Sequence, residues 1–188
     1  MGSPPAPLLA NGWMGKFDKK IQGNAKMYYR YMDDILRDIK RHDIRGKVLE
    51  INELHPSLKF THECETNSSI AFLDMMICRT ESELTSTWHT KPTDTCLTIN
   101  YHALAPQEYK RSAICGLVHR IHRACNTWKN FHESLIKAKK ILENNQYPPS
   151  FYEPIIKRTL DKIINSNPKQ QDAAKEDKKR VEVDFCTI

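Results

Sequence analysis

The sequence predicts an α+β fold in which one helix and several short antiparallel strands precede an all-helical region. Two kinds of periodicity support this prediction. Aromatic and β-branched residues recur in short runs between residues 28 and 91, as β-strands require. After Pro106 the apolar residues follow the i, i+3, i+4, i+7 spacing of amphipathic helices. We therefore expect three segments, over residues 1–92, 93–165 and 166–188, the last of them polar and charged.

Composition and charge narrow the class of protein. Of the 188 residues, 39% are hydrophobic and 28% are charged, which favours a folded chain over a disordered one. No run approaches the ~20 apolar residues of a membrane span, and the N-terminus lacks the pattern of a signal peptide, so we predict an intracellular location. The formal net charge of +6 suits a polyanionic partner such as nucleic acid, although many proteins this basic bind none.

The N-terminal part predicts a helix followed by a hairpin. Apolar side chains recur at every fourth position within Leu8–Lys20, so a helix is expected there, weakened by two glycines. The next run, Tyr28–Leu36, is aromatic and β-prone except for the adjacent carboxylates Asp33 and Asp34. This pattern predicts a strand, a turn at the two carboxylates, and a second strand. The polar residues that follow the turn make the second strand the weaker prediction.

The remainder of the first segment predicts one helix and three strands. Arg37–Glu53 is charged with spaced aliphatic residues, which favours a surface helix. Short strands are expected over Leu58–Glu65, Ser69–Cys78 and Leu84–Lys91. The middle run is apolar except for Asp74, which we interpret as a structural carboxylate rather than a metal ligand.

Three amphipathic helices are predicted after Pro106. The second of them should end at Asn144–Asn145, and the third should begin at the turn Pro148–Ser150. The apolar face of the first helix is marked by Ile114, Leu117, Val118, Ile121 and Cys125.

Asp33 and Asp34 are the residues that suggest catalytic chemistry. Two-metal nucleotidyl transfer requires carboxylates that hold two Mg²⁺ ions about 4 Å apart. Neighbouring side chains on a strand point to opposite faces, so two adjacent aspartates converge only where the backbone turns sharply. By themselves these residues are more often a solvated turn, and their sequence context decides between the two interpretations.

That context resembles reverse transcriptases of the Penelope-like retroelement type. Tyr31-Met32-Asp33-Asp34 is similar to the Tyr-x-Asp-Asp signature, and Gly2-Ser3-Pro4 with Pro7–Asn11 is similar to the palm motif that precedes it. The resemblance extends over roughly residues 1 to 160. Its further motifs are Leu54–Thr61, Phe72–Asp74, His89–Thr93 and Tyr147–Pro148.

The resemblance implies an architecture and an activity. Residues 1–92 would form a partial polymerase palm, residues 93–165 a thumb-like, helix-turn-helix-like bundle, and residues 166–188 a charged linker or tail. The intact parent would be a nuclear RNA-directed DNA polymerase that uses an RNA template, a DNA primer, dNTPs and two Mg²⁺ ions. Such enzymes take a third carboxylate from an earlier palm strand, upstream of Gly2, so we expect this fragment to be inactive alone.

The resemblance also assigns candidate site residues. Asp33 would be the principal metal ligand and Asp34 would assist. Lys59 would be a leaving-group acid or a triphosphate contact, although a strand lysine that faces solvent is an equally good interpretation. The nucleotide and template pocket would be lined by Gly2, Ser3, Pro4, Asn11, Tyr31 and Met32.

Basic residues of the helical segment are candidates for sequence-independent contacts with the primer-template backbone. An equally weighted alternative is that they are the solvated faces of amphipathic helices. The candidates are Lys110, Arg111, Arg120, Arg123, Lys129, Lys137, Lys139 and Lys140.

Two other functions stay open on the sequence. In the first, the chain is a non-catalytic nucleic-acid-binding module in which the helices over Pro106–Asn165 act alone. In the second, the chain is a transposon relic without a selected role.

Overall fold

The computed structural model describes residues 3–80, 83–166 and 184–187. These residues form two units, one from Ser3 to Leu73 together with a strand near the C-terminus, and one from Asp74 to Ser166. The first unit contains α1 (Ala6–Gly15), α2 (Asp18–Gln22), β1 (Tyr28–Tyr31), β2 (Asp34–Ile39), α3 (Ile44–Asn52), β3 (Glu63–Cys64), β4 (Ser69–Phe72) and β7 (Asp184–Thr187). The second contains β5 (Met75–Arg79), β6 (Leu84–Trp88), α4 (Gln107–Ala124), α5 (Trp128–Asn144) and α6 (Pro149–Ser166).

The first unit contains an antiparallel sheet with the strand order β1-β2-β7-β3. Ile35 of β2 is fully buried in one core cluster with Met14 of α1, Ile21 of α2 and Ile51 of α3. The helices therefore cover β2, in which every residue from Ile35 to Ile39 is buried. The single helix predicted over Leu8–Lys20 is instead two helices, because the chain turns between Gly15 and Asp18.

Arg37 and Asp38 of β2 lie inside the first unit. Arg37 donates hydrogen bonds to the carbonyl oxygens of Ile21 and Gln22, at the C-terminal end of α2. Asp38 Oδ1 accepts a hydrogen bond from the Met27 backbone N–H over 2.7 Å. The prediction of a surface helix from Arg37 was therefore wrong at its start, because these charged side chains serve backbone groups of neighbouring elements and the strand continues to Ile39.

All three predicted strands differ from expectation, and the third, Leu84–Lys91, ends at Trp88. Within Leu58–Glu65 only Glu63–Cys64 is a strand. At Phe60 the backbone N–H and C=O both bond to the side chain of Asn52, which takes the place of a neighbouring strand. The run Ser69–Cys78 is interrupted at Leu73, whose φ of +54° is incompatible with an extended strand.

The second unit confirms the three helices predicted after Pro106. Its core contains Ile114, Phe131, Leu142 and Ile156, and it also buries Trp88 of β6. Strands β5 and β6 pair antiparallel and belong to this unit. The units therefore divide after Leu73, whereas the sequence placed the boundary near residue 92, because strand periodicity does not reveal which core a strand packs against.

The C-terminal segment was predicted to be a charged linker or tail. Residues 167–183 and 188 of that segment lie outside the described residues. Asp184–Thr187 forms β7, which pairs with β2 so that Thr187 lies opposite Leu36 and Asp184 opposite Ile39. None of the helices in the described part of the chain has the length and apolar content that crossing a membrane requires.

Candidate nucleic-acid interface and aspartate turn

The two adjacent aspartates lie at a tight hairpin turn. Tyr31 pairs with Asp34, so Met32 and Asp33 are the two central residues of the turn between β1 and β2. Met32 has a φ of +56°, which is unusual for a residue with a side chain and matches hairpin turns that twist with their strands. Asp33 and Asp34 are both exposed. The sharp turn that the sequence required for these two carboxylates is present.

Arg30 fixes the position of this turn. Its guanidinium donates to both carboxylate oxygens of Asp18, over 2.6 and 2.9 Å, and to Asn11 Oδ1 over 2.6 Å. It also donates to the carbonyl oxygen of Met32 over 2.9 Å. The bond from Arg30 holds the pKa of Asp18 below its usual value of 3.8, and Tyr28 Oη adds a second bond. One guanidinium thus joins α1, α2 and the turn.

The predicted nucleotide-pocket residues are only partly brought together. Gly2 lies outside the described residues, and Ser3 and Pro4 are exposed before α1, where the Ser3 carbonyl accepts from the Ala6 N–H. Asn11 is joined to the carbonyl of Met32 through Arg30. Tyr31 is exposed beside the turn. Their role in binding a nucleotide stays a prediction.

Metal binding at the turn would require further ligands. Within residues 3–80, 83–166 and 184–187, no three or more His, Cys, Asp or Glu side chains come together as a metal site. Asp18 is engaged by Arg30 and Tyr28, so it does not complete a cage with Asp33 and Asp34. Lys59 is exposed in the loop between α3 and β3. The residues described here therefore do not by themselves fit a two-ion site.

The basic residues predicted to contact nucleic acid fall into three groups. Lys139 and Arg120 form ion pairs, with Glu153 and Asp74 respectively, each over 3.4 Å. Lys110 is buried. Those with exposed side chains and no ion pair within the described residues are Arg111, Arg123, Lys129, Lys137 and Lys140.

Lys110 stabilises the fold through hydrogen bonds to a loop. Its side chain is only 7% exposed, and Nζ donates to the carbonyl oxygens of Tyr101 and Ala103 over 2.7 and 2.8 Å. The ammonium also lies 5.5 Å from the centre of the Tyr101 ring. A lysine that is buried and bonded in this way has little capacity left to bind a phosphate. The predicted contact of Lys110 with the nucleic-acid backbone is therefore not supported. Sequence periodicity could not reveal this, because the partners belong to an irregular loop.

Positive charge is concentrated in one stretch of the chain. Residues 1–96 contain 13 basic and 13 acidic side chains and are formally neutral. Residues 97–157 contain nine basic and four acidic side chains, a net charge of +5 out of +6 for the whole chain. Exposed cations that outnumber anions attract the nucleic-acid backbone.

Comparison with known families supplies the bounds of this stretch. Residues 97–157 match the model of the animal helix-turn-helix domain. The match covers about a third of the chain and does not include the Asp33–Asp34 turn. No curated protein and no solved structure matched the chain.

The helix-turn-helix region, residues 97–157, begins ten residues before its first helix, and Asn145 holds this leading segment in place. Its side chain accepts from the Thr98 N–H over 3.0 Å and donates to the Cys96 carbonyl over 3.0 Å. Its own carbonyl accepts from the Tyr101 N–H, and the hydroxyl of Tyr147 donates to the Ile99 carbonyl over 2.6 Å. From the sequence we predicted only that a helix ends at Asn145. An asparagine directly after a helix is nevertheless a candidate for hydrogen bonds that hold a neighbouring segment of backbone.

Proposed function

We propose that the helix-turn-helix region is a nucleic-acid-binding module. The family match carries this proposal, and the matched residues hold +5 of the net charge of +6 of the whole chain. Contacts between lysine or arginine and phosphate are independent of sequence, and they release counterions that condense on the polyanion. The region therefore has the electrostatic character of a module that binds nucleic-acid backbones.

The exposed side of helix α5 carries Lys129, Lys137 and Lys140 together with the carboxylate of Glu133. Leu135, Ala138 and Leu142 are buried, so the opposite side of the helix faces solvent. Lys129 and Lys140 are eleven residues apart, which is about three helical turns, so they lie in line on that exposed side. Lys137 is exposed nearby, whereas Lys139 lies at the margin and pairs with Glu153. We assign the phosphate contacts to the three exposed lysines.

Binding is tested by fluorescence anisotropy of the full chain with labelled duplex, RNA–DNA hybrid and single-stranded oligonucleotides at several salt concentrations. Affinity should fall steeply with salt. The double variant Lys137→Gln/Lys140→Gln should reduce the slope of log K against log salt by about two, roughly one for each lost phosphate contact. The matched variant Lys139→Gln should change the slope little. A wild-type chain without salt-dependent binding to any of these ligands would refute the proposal.

A second candidate function is favoured by the hairpin. The pairing of Tyr31 with Asp34 places two carboxylates at a two-residue turn, and this arrangement supports a fragment of an RNA-directed DNA polymerase. Its template, primer, dNTPs, two Mg²⁺ ions and nuclear location would be those of the intact parent. In that parent Asp33 and Asp34 would hold metal, together with ligands from elsewhere in the enzyme, and Lys59 would contact the triphosphate.

Primer extension on an RNA template separates this candidate from the first. We expect no extension by the fragment itself. Joined to a segment that supplies a third carboxylate, the chain should gain magnesium-dependent extension that Asp33→Asn abolishes and Asp43→Asn, an exposed carboxylate in the same unit, preserves. Extension that survives Asp33→Asn would exclude the polymerase assignment of the turn.

A further inference from the structure

Trp128 is an exposed aromatic residue that is nevertheless held in place. It is the first residue of α5, and 62% of its surface is exposed. Its ring meets the Phe131 ring edge-to-face, with centroids 5.6 Å apart, and lies 6.3 Å from the His122 ring. Phe131 is buried in the core. The indole therefore rests on the core with much of its surface open to solvent.

The turn that carries Trp128 is anchored on both sides. Thr127 caps α5 by accepting from the Asn130 N–H over 3.2 Å. The Asn126 side chain accepts from the Ser86 N–H and donates to the Leu84 carbonyl, each over 2.8 Å. The Asn126 amide thus pairs with β6 as a neighbouring strand would. An aromatic ring on such a fixed turn loses little conformational entropy when a ligand covers it.

Two cations flank the ring in sequence. Arg123, near the end of α4, and Lys129, which follows Trp128, are both exposed. An open aromatic ring between cations is the combination that proteins use for single strands, because every base has a face that can stack and every nucleotide has a phosphate. A base within a duplex is already stacked on its neighbours and offers no free face.

We propose that Trp128 stacks on an unpaired base of a single-stranded nucleic acid, while Arg123 and Lys129 contact the adjoining phosphates. This inference rests on the proposed nucleic-acid binding and specifies its ligand. The chemistry is shared by RNA and DNA. Lys137 and Lys140, further along α5, supply binding that does not depend on an unpaired base, so the two contributions can be separated.

The test uses the full chain with oligothymidylate DNA, oligouridylate RNA and a duplex of equal length. Trp128→Ala should weaken binding of both single strands by about tenfold, within the range for loss of one stacked base, and should leave duplex binding unchanged. The slope of log K against log salt should stay the same, since no phosphate contact is lost. A loss confined to one of the two single strands would restrict the ligand to that nucleic acid. Tyr109→Ala, at an equally exposed ring on α4, is the matched control and should bind as the wild type does.

Trp128→Phe provides a second readout that does not depend on folding differences. Phenylalanine keeps a stacking face, so affinity should stay within about threefold of the wild type. Quenching of tryptophan fluorescence by single strands should be lost, because Trp88 is buried in the core and Trp13 packs against Phe17 and His55 in the first unit. Unchanged single-strand affinity in Trp128→Ala, or unchanged quenching in Trp128→Phe, would overturn the stacking inference. The proposed function would still stand as long as the wild-type chain shows salt-dependent binding. Loss of all salt-dependent binding in the wild type would refute the proposed function itself.

Discussion

The side-chain oxygen of Asn145 accepts a hydrogen bond from the backbone N–H of Thr98, 47 residues earlier in the chain, over 3.0 Å. The amide nitrogen of the same side chain donates to the carbonyls of Cys96 and Ile141. One buried residue at the end of α5 therefore holds the irregular segment that leads into α4. The helix-turn-helix region includes this segment, so its stability should depend on a residue outside its helices.

Asn145→Ala should lower the free energy of unfolding by roughly 2 kcal/mol or more. The substitution leaves the half-buried Thr98 N–H and Cys96 carbonyl without their partner, and each such group left unbonded costs about 1 kcal/mol, the lower end of the range for buried groups. Urea unfolding followed by helical circular dichroism measures the change. Asn144→Ala, at the exposed neighbour, should alter stability by less than about 0.5 kcal/mol. Equal effects of the two substitutions would contradict the role of Asn145.

Asp18→Asn should make the first unit less stable at neutral pH but not in acid. The Arg30 hydrogen bond lowers the folded-state pKa of Asp18 below the usual 3.8. The Asp18 carboxylate therefore contributes its full stability above the usual pKa of 3.8, and this contribution is lost as the pH falls through the lower, folded-state pKa. Unfolding measured at pH 7, 5, 4 and 3 should show the gap between the wild type and Asp18→Asn beginning to narrow below pH 4. The exposed carboxylate variant Asp43→Asn is the control, and a gap that does not narrow at all between pH 5 and pH 3 would argue against the ion pair.

Tyr152→Phe should be most destabilising below pH 10. Burial, together with the hydrogen bond that Tyr152 donates to Glu143 Oε1 over 2.8 Å, raises the pKa of the phenol to about 12. The ionised form is disfavoured in the folded state, so the contribution of the phenol is complete below its usual pKa of 10 and is lost as the pH rises through about 12. Urea midpoints measured from pH 7 to 12 should show the wild-type advantage shrinking above pH 10. A constant difference across that range would show that Tyr152 is not the titrating group.

Met32→Gly should stabilise the hairpin by roughly 0.5–1 kcal/mol. The φ of +56° at Met32 costs a residue with a Cβ about 1 kcal/mol, and glycine adopts it without that cost. Thermal unfolding of the first unit measures the gain. Tyr31→Gly, at an exposed position of the adjoining strand, should destabilise by a similar amount, because glycine there only adds chain entropy to the unfolded state. Two changes of the same sign would mean that the turn is not strained at Met32.

Periodicity was sufficient for the elements whose structure depends on near neighbours. The three helices after Pro106 and the turn at Asp33 were predicted because helix faces and two-residue hairpins repeat over a few positions. The strand predicted at Phe60 and the helix predicted from Arg37 failed because groups from other elements took part. Asn52 replaces a strand beside Phe60, and Arg37 reaches back to the end of α2. Contacts of this kind leave no periodic trace in the sequence.

The sequence by itself determined the α+β order, the three amphipathic helices and the position of the aspartate turn. The tertiary structure alone decided which charged side chains remain available to a partner. Lys110 is hydrogen-bonded to two loop carbonyls and Asp18 forms an ion pair with Arg30, whereas Trp128 is exposed on an anchored turn. The physical reason is that a buried polar group must find a hydrogen-bond partner, and where that partner lies depends on packing between segments far apart in the chain.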